Sequence, residues 1–408
     1  MVFFVAPNYN GGMRLSSILQ KKDRAQAILD DAVARKEMAG VACSILLHGE
    51  TVFSLSSGYA NLEEKRPVKR DDIYHLFSMT KPITALAALL LIQDGRLSLT
   101  DPIERYLPTF AHPRVETKDG IVPSPRSVTV QDLLNMAGGL CYSWGESQNA
   151  QNVIALYKEM SERRRNGDKP MTTVEFASRV GQAPLAYAPG TSWAYSVSAD
   201  VLGAVIEVAS GQSFGSFLKQ RIFTPLGMDE TGFFVPTEKR FRLTQPYFTK
   251  DGDLVPFREE SLGIAPNGEA TGFESGGAGL YSTLPNMERL AQCLLRGGKD
   301  PQGNSVFQED TLRFFFAVQP MQSSVYQAFH HDCPGIPMGC HYSNFLRVMA
   351  KPQTPDDIPG ECYCDGWQGA YLSVFTKDDL AIVALMGQCG HGTGPVNLKL
   401  KKLIFGSH

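Results

Sequence analysis

The 408-residue sequence predicts an α+β fold (multi-domain α and β), with one antiparallel sheet built from both ends of the chain around a mostly helical middle. Three observations carry this expectation. Val41 to Leu47 and Thr51 to Ser57 read as strands joined by a tight turn at Gly49-Glu50. Gly369 to Phe375 and Leu380 to Met386 read as a second strand pair, joined by Lys377-Asp378-Asp379. Between the two pairs, helical periodicities alternate with Pro- and Gly-containing loops, and the regular βαβ alternation of a doubly wound fold is missing.

Taken in order, a helix is expected from about Arg24 to Glu37, where Ala25, Ile28, Leu29 and Ala32 share one face. After the first hairpin come helices at Pro82 to Asp94, Val130 to Met136, Gln151 to Arg164, Thr173 to Val180 and Asp200 to Ser210. A last helix is expected from Pro395 to Phe405. Length alone suggests two or three domains. The pattern favours a single unit over 1–408, with a sheet part from about 20–75 and 275–408 and a mostly helical part from about 80–240. A Cys- and His-rich insert of unusual composition runs from about 322 to 364.

Composition is that of a globular chain, 43% hydrophobic and 20% charged, and a net charge of −3 argues against a nucleic-acid partner. Arg163-Arg164-Arg165 has Glu159, Glu162 and Asp168 close by, so the run reads as a solvated face. Met1 to Ala6 is apolar but has no basic segment before it and is short for a signal core. The longest apolar run, the eight residues Ala85 to Ile92, does not reach across a bilayer. The expectation is a cytoplasmic protein with no membrane span. Cys43, Cys141, Cys293 and Cys389 then read as reduced thiols.

The chemistry points first to Ser78 and Lys81. They are three residues apart in Leu76-Phe77-Ser78-Met79-Thr80-Lys81-Pro82, hence on one helix face. Pro82 is tolerated only near the first turn, which fixes the helix start close to Ser78. A serine hydroxyl becomes a nucleophile beside a base, and a lysine serves as that base when burial lowers its pKa. The free N–H groups of the helix start suit a developing oxyanion.

This block, followed by Asp94-Gly95-Arg96-Leu97, resembles the active-site block of class C β-lactamases, penicillin-binding DD-peptidases and family VIII carboxylesterases. Further ordered stretches are similar to the same family: Val128 to Leu134 with Gly138-Gly139-Leu140, Pro189 to Ser196, Pro225 to Met228, and Gly276 to Thr283. The resemblance implies a β-lactamase/transpeptidase-like fold, an antiparallel sheet flanked by helices plus an all-helical domain, with the site in the cleft. It also implies that Tyr195 is the catalytic tyrosine, a phenol able to relay a proton.

Two departures bear on substrate. The penicillin-recognising Tyr-x-Asn is Tyr195-Ser196-Val197 here, and Lys-Thr-Gly is replaced by Trp367-Gln368-Gly369-Ala370, similar to the Trp-Gly-Gly of the esterases. By that likeness Val197, Trp367, Gln368 and Gly369 line the substrate site, and the N–H groups of Ser78 and Ala370 form the oxyanion hole. Losing the cation favours an uncharged small ester.

Two other motifs compete. Gly211-Gln212-Ser213-Phe214-Gly215 matches a nucleophile elbow, but a helix rather than a strand precedes it, so Ser213 reads as a loop or helix-cap residue. Cys333, Cys340, Cys362 and Cys364, with His330, His331 and His341 nearby, offer a structural metal site, although their spacing is not the usual paired one. His391-Gly392-Thr393-Gly394 reads as a C-terminal loop and not a phosphate cradle.

The sequence therefore predicts a Ser-Lys-Tyr serine hydrolase acting through an acyl-enzyme on small esters, without a cofactor. Amide or lactam hydrolysis of the DD-peptidase or β-lactamase type, acyl transfer, and a non-catalytic binding role stand as alternatives. Substrate identity and oligomeric state are not encoded in any motif.

Overall fold

The computed structural model describes residues 15–390, 392 and 394–406. The apolar stretch at residues 1–6 lies outside the described residues, as do His391 and Thr393 of the glycine-rich loop.

The main sheet has eight strands. Across it run Cys340–Ser343, Leu346–Met349, Glu361–Asp365, Tyr371–Phe375, Leu380–Met386, Gly40–Leu47, Glu50–Asn61 and Arg66–Pro67. Every pairing is antiparallel. Gly40–Leu47 is an unbroken apolar run apart from Ser44, and every residue in it is buried. Such a strand suits the middle of a sheet covered on both faces. It pairs on one side with Leu380–Met386, Val41 opposite Met386, so the two chain ends meet at the centre. On its other side the hairpin turns at His48-Gly49, one residue earlier than expected. Both residues have positive φ, +50° and +77°, as a twisted two-residue turn requires, which frees Glu50 to pair with Leu47.

Helices Lys22–Ala34 and Pro395–Phe405 cover one face of the sheet, and Leu284–Leu295 packs on the other. The helical middle adjoins that second face. Its axis is Thr80–Gln93, buried from Thr80 through Leu91 and packed on Ser198–Ser210. A helix that is apolar on all sides belongs in an interior, and here it carries the expected nucleophile segment into the core. Gly95, at φ +70°, ends it in the Asp-Gly-Arg-Leu turn. Arg163 pairs at 2.7 Å with Glu159 and with Glu175, in keeping with a solvated charged face. No single helix among the described residues is long and apolar enough to cross a membrane.

The Cys- and His-rich segment differs from expectation. It is no appended insert: it forms the helix Ser323–Asp332 and then three strands of the main sheet. His341, Arg347 and Asp365 interrupt the apolar pattern of those short strands, which hides them in the sequence. Two small hairpins were also not anticipated, Arg114–Thr117 with Gly120–Pro123 and Tyr247–Lys250 with Asp253–Pro256.

Candidate active site

Strand Ile73–His75 pairs with Tyr281–Thr283, and the Leu76 N–H continues the register by donating to Leu280 O at 2.8 Å. The chain then turns sharply. Phe77 takes φ +47°, a left-handed conformation that costs a bulky residue about 1–3 kcal/mol and persists only when its surroundings enforce it. Those surroundings are the His75 ring, 3.9 Å away between centroids, and Trp367 at 5.4 Å. Ser78 follows in a single 3-10 turn, Phe77–Met79, that runs directly into Thr80–Gln93. Pro82 lies in the first turn of that helix, as its missing N–H requires.

Lys81 is fully buried. Its Nζ donates to Ser78 Oγ at 3.1 Å, to Tyr142 Oη at 3.0 Å and to the Gly277 carbonyl at 2.8 Å. Burial brings its pKa down to about 8, against the pull of the Asp200 carboxylate in the opposite direction. A lysine so placed gives up its proton near pH 8 and sits within reach of a serine hydroxyl.

Tyr195 lies on the other side of the amine, with Lys81 Nζ 4.6 Å from its ring centre, and its phenol is close enough to Ser78 to feel it electrostatically. Burial pushes the phenol well above its usual pKa, so it is a proton donor rather than a phenolate. Its backbone N–H donates to Asp332 Oδ2 at 3.0 Å, so the Cys- and His-rich segment anchors the tyrosine. The structure thus brings Ser78, Lys81 and Tyr195 together. It adds Tyr142, which the sequence analysis missed; the residue follows the Gly138-Gly139-Leu140 block, and that proximity was the only signal.

The turn Gly366–Gly369 closes the site. Its N–H at Gly369 donates to Gly366 O at 2.8 Å, and Gly366 N–H donates to Ala370 O at 2.7 Å. A Cβ at Gly366 would stand 2.1 Å from Leu76 O, so only glycine lets this turn approach the nucleophile segment. Ala370 is buried and lies just before the ladder that begins at Tyr371, which leaves its N–H outside that ladder. Ser78 is in the first turn of its helix, where N–H groups have no intrahelical acceptor. Trp367 remains 37% exposed and is enclosed by Phe77, Phe248 and Phe257, with ring centres 5.2 to 5.6 Å away. Phe248 and Phe257 come from the Tyr247–Pro256 hairpin and its exit. Gln368 is buried beside them, and its carbonyl accepts from Gln388 N–H at 3.1 Å.

Comparison with known proteins places the chain in a family. Residues 25–395 match the Beta-lactamase family. The chain belongs to that family. Esterase EstB of Burkholderia gladioli is 33% identical over 282 residues, 66% of this chain and 69% of the esterase. The solved structure of EstCE1, described as a hydrolase with promiscuous acyltransferase activity, superposes with a TM-score of 0.78 at 25% identity, over 96% of this chain and 100% of that one. Simvastatin synthase (LovD) from Aspergillus terreus shares the fold, with a TM-score of 0.74 at 17% identity over 96% and 97% of the two chains. The fold is β-lactamase/transpeptidase-like, and this family member is a serine hydrolase.

Two expected site features take a different form in this β-lactamase-family chain. Val197 is fully buried at the N-cap of Ser198–Ser210, packed in the core, and presents no surface to a substrate. The four cysteines do not assemble: all eight cysteines are unpaired, and no group of three or more His, Cys, Asp or Glu side chains among the described residues is placed to hold a metal ion. Cys362 and Cys364 lie on the same face of their strand, and their thiols go to backbone carbonyls, Cys362 to Phe316 O at 3.8 Å and Cys364 to Ser78 O at 3.3 Å. His330 and His341 likewise contact the carbonyls of Cys340 and Gln319. Ser213 caps the helix Phe214–Leu218, accepting from Ser216 N–H at 3.2 Å, as its context predicted.

Proposed function

We propose that this chain hydrolyses small, uncharged carboxylic esters through an acyl-enzyme on Ser78. Lys81 takes the Ser78 proton as the hydroxyl oxygen attacks the ester carbonyl, and the N–H groups of Ser78 and Ala370 receive the oxyanion. The tetrahedral intermediate then expels the alcohol, which leaves with a proton delivered by Tyr195. Water attacks the acyl-enzyme in turn, losing its proton to the Tyr195–Lys81 pair and releasing the acid. The observation that carries this reading is the buried Lys81 Nζ, 3.1 Å from Ser78 Oγ, with its pKa lowered to about 8.

The ester preference rests on Trp367 and its aromatic neighbours. An apolar wall offers nothing to a substrate carboxylate and much to an alkyl or aryl group. The likeness to EstB supports it. A second reading, acyl transfer to an alcohol in place of water, draws on the likeness to EstCE1 and on the same aromatic enclosure. Eight unpaired cysteines support a reducing, cytoplasmic setting.

A panel of p-nitrophenyl esters of increasing chain length, run beside nitrocefin on wild type and Ser78→Ala, tests the reading. Ester turnover that vanishes in Ser78→Ala is expected. Dominant nitrocefin turnover, or a fluorophosphonate adduct on Ser213 with Ser78 unlabelled, overturns it.

A further inference from the structure

Helix Ser198–Ser210 carries one carboxylate that the proposed reaction does not use. Asp200 sits in its first turn and is 1% exposed. Its Oδ1 accepts from the Ser275 hydroxyl and, at 3.0 Å, from the Gly277 N–H. Its Oδ2 is equally buried and has no hydrogen-bond partner. Buried polar atoms are almost always paired, so an orphaned carboxylate oxygen asks for a reason.

The reason lies at Gly277. A Cβ there would stand 2.7 Å from Asp200 Oδ2 and also 2.7 Å from Tyr142 Oη, so the two oxygens face each other across this glycine. The Gly277 carbonyl is also an acceptor for Lys81 Nζ, at 2.8 Å. Tyr142 Oη accepts from Lys81 and therefore keeps its own proton for a further acceptor. One carboxylate behind the nucleophile thus holds Ser275 and Gly277, and through the Gly277 carbonyl it adjoins Lys81.

We propose that Asp200 is a positioning residue: ionised, it fixes the Ser275–Gly277 turn, faces Tyr142, and supplies the negative charge against which Lys81 is buried. Burial is the largest influence and holds the Asp200 carboxyl above the usual carboxylate range, while Ser275, Lys81 and the Gly277 N–H pull it back toward ionisation. The other groups acting on Lys81 are Ser78, Tyr142 and Tyr195 in contact, with Cys364, Arg347 and Asp365 on the neighbouring strands. Among the charges, Asp200 opposes the effect of burial most strongly. The inference rests on Lys81 acting as the base toward Ser78.

The test is the pH dependence of kcat/KM for a p-nitrophenyl ester in wild type and Asp200→Asn. The asparagine carbonyl still accepts from Ser275 and Gly277, so the turn is kept while the charge is lost. Asp200 is the charge that raises Lys81 most, so removing it should move the acid limb down, by about one pH unit, with kcat reduced. A purely structural Asp200 lowers the rate and leaves the limb where it was. An unmoved limb in folded Asp200→Asn therefore overturns the inference. Activity that survives Ser78→Ala overturns the underlying reading instead.

Lys81→Met provides a check that leaves Asp200 in place. Removing the amine leaves an ionised Asp200 unneutralised, so its carboxyl rises and favours the protonated form in the folded state. Stability then falls as pH rises from the ordinary carboxylate range through the raised folded value. The melting temperature of Lys81→Met should drop by several degrees over that range relative to wild type. Parallel curves for the two proteins mean that Lys81 does not act on the Asp200 carboxyl, and that also overturns the inference.

Discussion

The hydroxyl of Tyr142 accepts a hydrogen bond from Lys81 Nζ at 3.0 Å, as close as the 3.1 Å bond from the same nitrogen to Ser78. The amine is therefore held by two hydroxyls and the Gly277 carbonyl, and the removal of any one frees it to turn from the nucleophile. A hydrogen bond to a charged group contributes about 1.5–3 kcal/mol, so Tyr142→Phe should lower kcat/KM about 10- to 100-fold. Its ring keeps its packing on Trp144 and Tyr195, so the melting curve should stay close to that of wild type.

Under the proposed mechanism Lys81 sets the pH profile. The base must be neutral to take the Ser78 proton, so kcat/KM for a neutral ester should rise through a midpoint near the lysine's pKa of about 8. The stability effect has the same sign. The folded value lies below the ordinary lysine value of 10.5, so between about 8 and 10.5 the unfolded chain binds more protons and this group's contribution to stability rises with pH. Denaturant midpoints for wild type and Lys81→Met across that window should diverge, with wild type gaining.

Asp332 reaches across from the last turn of Ser323–Asp332 to the backbone of Tyr195. Asp332→Ala should lower kcat by up to about tenfold, one charge-assisted hydrogen bond's worth. Because the carboxylate is exposed, stability should change by no more than about 0.5 kcal/mol. Steady-state kinetics and a thermal melt on the same preparation separate the two effects.

Trp367 should decide chain length. Trp367→Ala removes the wall shared with Phe248 and Phe257, and KM for long-chain or aryl p-nitrophenyl esters should rise about tenfold, while that for the acetate changes little. Equal losses across the panel would assign Trp367 to packing alone.

Ser213→Ala should cost about 1 kcal/mol through loss of the helix cap and leave ester turnover intact. An inactive but folded Ser213→Ala would reverse that assignment.

The sequence disclosed what depends on short spacing. Ser78 and Lys81 are three apart at the start of an apolar helix that Pro82 delimits, and the helix begins where this spacing demands. Leu380–Met386 and Pro395–Phe405 match their expected bounds, each having an uninterrupted pattern. What escaped depends on distant partners. Tyr142 reaches Lys81 only through the tertiary fold. Val197 was assigned by its place after Tyr195, yet at the N-cap of a buried helix it packs in the core. The hairpin that brings Phe248 to Trp367 did leave a mark, the Asp251-Gly252 pair whose φ values are +53° and +84°, a strong short-range hairpin signal.

The meeting of the two chain ends at the sheet centre has a consequence in time. Ser78 and Lys81 are synthesised early, whereas Ala370 and the strand that pairs with Gly40–Leu47 come from the last part of the chain. Long-range antiparallel pairing closes late and slowly. A nascent chain on the ribosome therefore carries Ser78 and Lys81 before Ala370 exists, and the site proposed above is assembled only after the strand Leu380–Met386 has been made.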